Sequence, residues 1–277
     1  ETMSIKKVCE DGKTILLSCA AAEVIVNPVA KYVFKTPQKD SYAAQKIFME
    51  MNKLGISKIA VLAGNTGFGK AGKGQIESLA PEFGIEILAA EVYDKAATDL
   101  SAVIAKISAN KDIQAVINWS IVPAQAIVAK NIRQAGWDVA IFQSHGFGNI
   151  KYVEAAGIAA EGIIFPAGRL LVADTLPDDN PQKKVLVQYR DEYEAKFKEP
   201  ASTFGGHGYD AIMILVEAIK AAGTTDSEKV RDAIENLQGF VGTGGIFNFS
   251  PADHNGLDID SFAMLTVKDG KFVLYTK

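Results

Sequence analysis

The residue types and spacings richest in chemistry lie at 64–72, GNTGFGKAG. Residues 64–70 spell G-x-x-x-x-G-K, the phosphate-cradling loop, but Ala71 stands where a hydroxyl would hold magnesium. Nor does the next apolar run, 115–119, end in the aspartate that such enzymes use for the metal. Gly67, Gly69 and Gly72 also spell G-x-G-x-x-G, and Glu91 follows at the separation of a ribose-binding acid. Phe68 argues against both nucleotide readings, because a large ring at the tip of the turn fills space a pyrophosphate needs. It suits an apolar ligand. A glycine-rich helix entry with no ligand stays open as the third reading.

Other reactive residue types are sparse. His145 precedes Gly146 and Gly148 in a loop after a strand, where binding residues concentrate; a solvated loop histidine is the alternative. Trp119 ends an apolar strand and stands open between core packing and ligand contact. His207 and Tyr209 lie at a helix start, where packing and capping compete with binding. His254, among Pro251, Asp253 and Asn255, reads as a surface residue, and 190–198 as a solvated helix face. Cys9, on a helix, and Cys19, on the following strand, make no metal site without nearby histidines and read as two buried thiols, with a disulfide between them the alternative. No G-x-S-x-G, H-E-x-x-H or Cys/His pairing is present. Asp94, Asp99 and Asp112, at segment ends, do not demand hydrolysis by a carboxylate pair.

The elements that must position these residues alternate. Residues 58–63 form an unbroken apolar run, as in a parallel strand covered on both faces. Helix 41–54 precedes it; helix 70–82, strand 85–91, helix 99–109, strand 114–119, helix 123–135 and strand 138–143 follow. Asp99 is a helix cap and Gly136 a helix stop. This rhythm predicts a doubly wound parallel sheet with ligands outside its strands' carboxyl ends. Around it lie a helix at 4–11, a strand at 14–18, an extended passage at 32–39, a strand at 163–166, a loop at 167–181, and helices at 182–197, 203–222 and 226–237. Residues 262–267 and 271–275 form a hairpin about Asp269-Gly270. The middle of the chain thus supplies a complete sheet, whereas the flanks supply helices and one clear strand. The expectation is a second domain with its first strands missing from this chain.

Bulk properties narrow the class. The 277 residues carry a net charge of -4, 48% hydrophobic and 22% charged residues, which excludes a basic nucleic-acid footprint. No apolar run approaches the roughly 20 residues that span a bilayer, and no signal core opens the chain. The chain is then either cytoplasmic or a processed or truncated form.

Several stretches, in order, resemble the type I periplasmic solute-binding proteins that serve ABC transporters for branched-chain amino acids. They are ILLSCAAAEVIVNP, YVFKTPQKDSYAAQ, KIAVLAGNTGFGKAG, DLSAVIAKI, VINWSIVPAQAIVAKNIRQAG, HGFGN, EGIIF and FGGHGYDAIMILVEAI. The resemblance implies two α/β lobes joined by three crossings, the first incomplete at its N-terminus, with lobe 1 at 1–36 and 170–257 and lobe 2 at 37–169 and 258–277. It implies an extracytoplasmic receptor, periplasmic or lipid-anchored with its signal outside this chain, that closes on a ligand and docks on a membrane permease. Neither a cofactor nor catalysis is implied. Carried over by position, the ligand-binding turn falls on Ala20, Ala21 and Ala22, the covering aromatic on Phe68, and the strand-end contacts on Trp119, Ser120 and Ile121. Phe204 and Tyr209 fall where relatives line the cleft. The family's ammonium-binding acid falls on His145, which cannot replace a carboxylate as partner for a cation. The expected ligand is therefore a small hydrophobic or aromatic carboxylate, or a branched-chain amino acid if the amino group is read elsewhere. An NAD(P)-dependent oxidoreductase built on residues 67–72, and a ligand-sensing domain of the same fold, remain the alternatives.

Overall fold

The computed structural model describes residues 2–276, which divide into two units. Unit 1 comprises 1–39 and 168–262, and unit 2 comprises 40–167 and 263–277. The chain therefore crosses at 39/40, 167/168 and 262/263, a few residues from the 36/37, 169/170 and 257/258 of the sequence reading. Hydrogen bonds explain the offset. Thr36 Oγ1 donates to the His207 carbonyl and Gln38 Nε2 to that of Gly244, which ties 36–38 to unit 1. Asp258 caps a 3-10 turn at Ile259–Ser261 before the chain leaves.

Unit 1 begins with α1 (Thr2–Asp11), β1 (Leu16–Ser18) and β2 (Val33–Lys35), the two strands pairing in parallel. The chain enters unit 2 with α2 (Asp40–Lys53). It continues through β3 (Lys58–Gly64), α3 (Gly67–Leu79), β4 (Glu86–Tyr93), α4 (Ser101–Ser108) and β5 (Ala115–Trp119). Then come α5 (Ala124–Gln134), β6 (Ala140–Gln143), α6 (Ile150–Ala156) and β7 (Ile164–Ala167). Unit 1 resumes with α7 (Lys183–Phe197), α8 (Thr203–Ala222), α9 (Ser227–Glu235) and the two-residue strands β8 (Phe240–Val241) and β9 (Ile246–Phe247). The hairpin β10 (Ala263–Lys268) and β11 (Lys271–Leu274) returns to unit 2.

The seven-stranded sheet of unit 2 runs β11-β10-β7-β6-β5-β3-β4. Its four inner pairings from β7 to β4 are all parallel, and the hairpin adds antiparallel strands beyond β7. Strand order reverses between β3 and β5, because β4 lies outside β3 while β5 follows on its other side. Such a reversal opens a crevice beyond the carboxyl ends of the two strands. From Ile59 onward β3 is buried, and β5 is buried throughout, as their unbroken apolar runs require.

Three local readings need correction. The passage at 32–39 holds β2, a fully buried strand whose three residues are too few to show a period. His254 is not at the surface: it is 1% exposed, stacks on Phe34 at 4.0 Å, and bridges the Val33 carbonyl and the Glu235 carboxylate. Its polar sequence neighbours hid a ring that joins α9 to β2. Cys9 is half-buried and Cys19 exposed, both free, so they are not the buried thiols expected from the apolar runs nearby.

Unit 1 packs α8, α9, β2 and β9 around Phe34, Ile214, Ile234, Phe247 and Phe249. Its glycine-rich 242–245 loop is held from α8. Buried Asp210 accepts from Thr243 N at 2.7 Å, Thr243 Oγ1 at 3.0 Å and Gly244 N at 2.7 Å. Burial pushes its carboxyl up to about 6, against hydrogen bonds that pull the other way. A folded-state value above the unfolded one means that its stabilising contribution is complete below about pH 4 and fades as pH rises through about 6. Asp210→Ala is expected to lose about 2–4 kcal/mol in denaturant melts, more at pH 4 than at pH 7. A loss under 1 kcal/mol would contradict this.

Candidate functional site

The site in unit 2 is set by how closely α3 lies on the sheet. Thr66 caps the helix by accepting from Gly69 N at 3.0 Å. A methyl on Gly69 would overlap the Gly64 carbonyl, and one on Gly72 would overlap the indole Nε1 of Trp119. Two of the three glycines of the 67–72 pattern are thus needed for helix-to-strand contact, and the Trp119 ring occupies the space beneath the helix. Glu91 is engaged too, 2.6 Å from Lys106 Nζ. These contacts account for the dinucleotide-like letters as packing.

With α3 at that height, three rings meet past the ends of β3, β5 and β6. Phe68 and Trp119 lie 5.7 Å apart, and His145 stands edge-on to them at 5.2 Å and 5.6 Å. Trp119 is fully buried, the packing reading of that residue, while half-buried Phe68 covers it. His145 opens a 3-10 turn, His145–Phe147, whose approach to the Ser120–Ile121 turn needs Gly146: a side chain there would strike the Ser120 carbonyl. Ser144 stitches the two turns, its Oγ donating to the Ser120 carbonyl at 3.2 Å and accepting from Gly146 N. Ser120 Oγ accepts from Val122 N, and Ile121 is 37% exposed. Of these two, Ile121 has an accessible side chain and Ser120 is buried.

Beneath His145 is a residue that sequence reading missed. Asp40, first residue of α2 and fully buried, lies with Oδ1 3.5 Å from His145 Nε2. At a helix start an aspartate looks like an ordinary N-terminal acid, and only the tertiary pairing distinguishes it. The carboxylates at 94, 99 and 112 serve local structure: Asp94 accepts from Ala96 N, Asp99 from Ser101 N just before α4, and Asp112 pairs with Lys58.

Unit 1 presents the Ala20–Ala22 turn after β1. Ala20 N donates to Ser18 Oγ, and the Ala21 carbonyl accepts from Lys35 Nζ at 2.9 Å. His207 is buried nearby on α8; burial first, then the Lys35 charge, pushes its imidazole down to about 3, so it is neutral. Phe204 is 41% exposed on the first turn of α8. Tyr209 instead packs against Tyr189 of α7, the rings tilted with centroids 5.0 Å apart, in the seam between the two helices. Among the described residues no group of histidine, cysteine and acid side chains could hold a metal ion, and no helix is long and apolar enough to cross a membrane.

The profile of one family, periplasmic binding protein, matches residues 1–271. The chain belongs to that family. This periplasmic binding protein is 26% identical over 228 residues to the leucine-, isoleucine-, valine-, threonine-, and alanine-binding protein of Pseudomonas aeruginosa, covering 81% of this chain and 58% of that one. An extracellular ligand-binding receptor from Rhodopseudomonas palustris superposes with a TM-score of 0.92 at 28% identity, over 99% of this chain and 79% of the other. A leucine-binding protein from Thermotoga maritima, at 20% identity and TM-score 0.86 over 99% and 76% of the two chains, shares the fold. The chain spans between 50% and 58% of the length of the curated relatives it matches.

Gly72→Ala tests the packing. Displacing the indole is expected to cost about 1–3 kcal/mol of stability in denaturant melts and to quench the near-ultraviolet dichroism of the ring cluster. An unchanged spectrum would contradict the close approach.

Proposed function

We propose that the protein is an extracytoplasmic solute receptor of an ABC importer, taking a small carboxylate with an apolar or aromatic body. The ligand's body would rest on Phe68, Ile121 and His145, and its carboxylate on the Ala20–Ala22 turn. Binding both ends favours a closed arrangement of the two units by differential affinity, and the closed form docks on a membrane permease. The reading rests on the aromatic wall at the strand-order reversal, where α/β sheets hold ligands. Family membership supports the receptor class.

The Asp40–His145 pair bears on ligand choice. With His145 protonated against the Asp40 carboxylate, the two form an ion pair that is neutral overall. It offers a ligand ammonium no carboxylate of its own, so an α-amino group gains little here. The Pseudomonas aeruginosa relative is named for amino acids, which makes the amino group the point to test.

Phenylacetate, benzoate, isovalerate, L-leucine, L-valine and NAD form the discriminating panel in thermal melts. A matching acid at a hundredfold excess over its Kd is expected to raise Tm by about 5–10 °C, with isovalerate ahead of L-leucine. Stabilisation by NAD and not by the acids would overturn the receptor reading, and L-leucine ahead of isovalerate would overturn the amino-group argument. His145→Glu alone sets a second carboxylate against Asp40 and raises one carboxyl pKa. Preference for amino acids is expected only when Asp40→Asn accompanies it, measured as the ratio of L-leucine to isovalerate affinity.

A further inference from the structure

The least expected residue in unit 1 is Lys35. It ends β2 with no exposed surface, and its Nζ donates to three backbone carbonyls: Ala21 at 2.9 Å, Pro37 at 2.6 Å and Gln38 at 3.0 Å. Packing does not require a charge there, since a methionine fills a similar volume without the desolvation cost of an ammonium. The three hydrogen bonds do require it. Asn255 braces the same segment, its Nδ2 donating to the carbonyls of Lys35 at 3.2 Å and Pro37 at 2.8 Å.

The bond to Ala21 has a directional consequence. A trans peptide is planar and carries its C=O and the following N–H on opposite sides. With the Ala21 carbonyl drawn onto the buried ammonium, the Ala22 N–H points away from it. The Ala22 carbonyl is taken by Ile25 N at 3.1 Å. Among the described residues neither the Ala21 nor the Ala22 amide has an acceptor, and both residues are half-buried. An outward, open amide backed by a cation is a donor suited to an anion, and charge-assisted bonds of that kind are about twice as strong as neutral ones.

We infer that Lys35 is a positioning residue: by holding the Ala21 carbonyl it fixes the Ala22 amide outward and makes the 20–22 turn select a carboxylate over its neutral carboxamide. The inference rests on the proposed receptor function. Lys35 does not touch the ligand. It acts through one peptide plane, and the ammonium behind that plane favours negative charge in front of it. Ala22 has no side-chain donor, so the backbone amide is the donor that remains.

The experiment is calorimetric titration of the wild type, Lys35→Met and Lys35→Arg with phenylacetate, benzoate, isovalerate and L-leucine, each paired with its carboxamide. Circular dichroism accompanies each protein. Lys35→Met is expected to weaken the carboxylates about tenfold or more while changing the carboxamides less than about threefold, and Lys35→Arg to restore most of the preference. Should Lys35→Met not fold, Lys35→Gln keeps two donors without the charge and is expected to show the same loss of preference. An unchanged carboxylate-to-carboxamide ratio in the folded neutral variant overturns the inference while leaving the receptor reading intact. Equal weakening of both members of each pair also overturns it, because a purely structural role predicts that. A wild type that binds none of the eight compounds overturns both readings.

Discussion

The site in unit 2 depends on one steric condition, that α3 carries no side chain where it meets the end of β3 and the Trp119 indole of β5. Gly69 meets the Gly64 carbonyl and Gly72 meets the Trp119 indole. Protein interiors are packed densely enough that a single methyl at either point moves its neighbours. The same approach lifts Phe68, just before Gly69, over the indole and beside His145. A pattern that imitates a nucleotide fingerprint therefore results from packing.

The second constraint is polar and belongs to unit 1. Its loops are held by buried groups that saturate backbone: Asp210 on Thr243 and Gly244, Lys35 on Ala21, Pro37 and Gln38, and His254 on Val33. Buried polar groups are tolerated when bonded and are directional when they are. A short two-stranded sheet supplies little rigidity by itself. These side chains fix where the 20–22 turn and the 242–245 loop point. In unit 2 the comparable function falls to Ser144, which ties the His145 turn to the Ser120 turn.

Much of this was legible in the sequence. Apolar runs at 58–63 and 115–119 lie in β3 and β5, α8 spans the same 203–222 as its pattern, and Gly136 ends its helix in the left-handed region. The ring at Phe68 was legible because it interrupts glycines that packing alone would not interrupt. What escaped was tertiary. Asp40 resembles any helix-start acid until His145 is folded over it. Lys35 sits in a strand too short to show a period. His254 is surrounded by turn-forming polar residues, yet stacks on Phe34. Asp40 and His254 have partners far along the chain, and Lys35 bonds carbonyls that only the folded backbone turns towards it; local pattern carries no information about either arrangement.

The central claim is that a ligand's apolar body rests on Phe68, Ile121 and His145, with the buried Trp119 indole packed directly against Phe68 and His145. The chain has two tryptophans, Trp119 and Trp137. Trp137→Phe leaves the buried indole as the only one, so its emission reports the wall directly. Titrating that variant with each compound that binds by calorimetry is expected to give a saturable change in Trp119 emission at the calorimetric Kd. Calorimetric binding with no change in that emission would contradict the account.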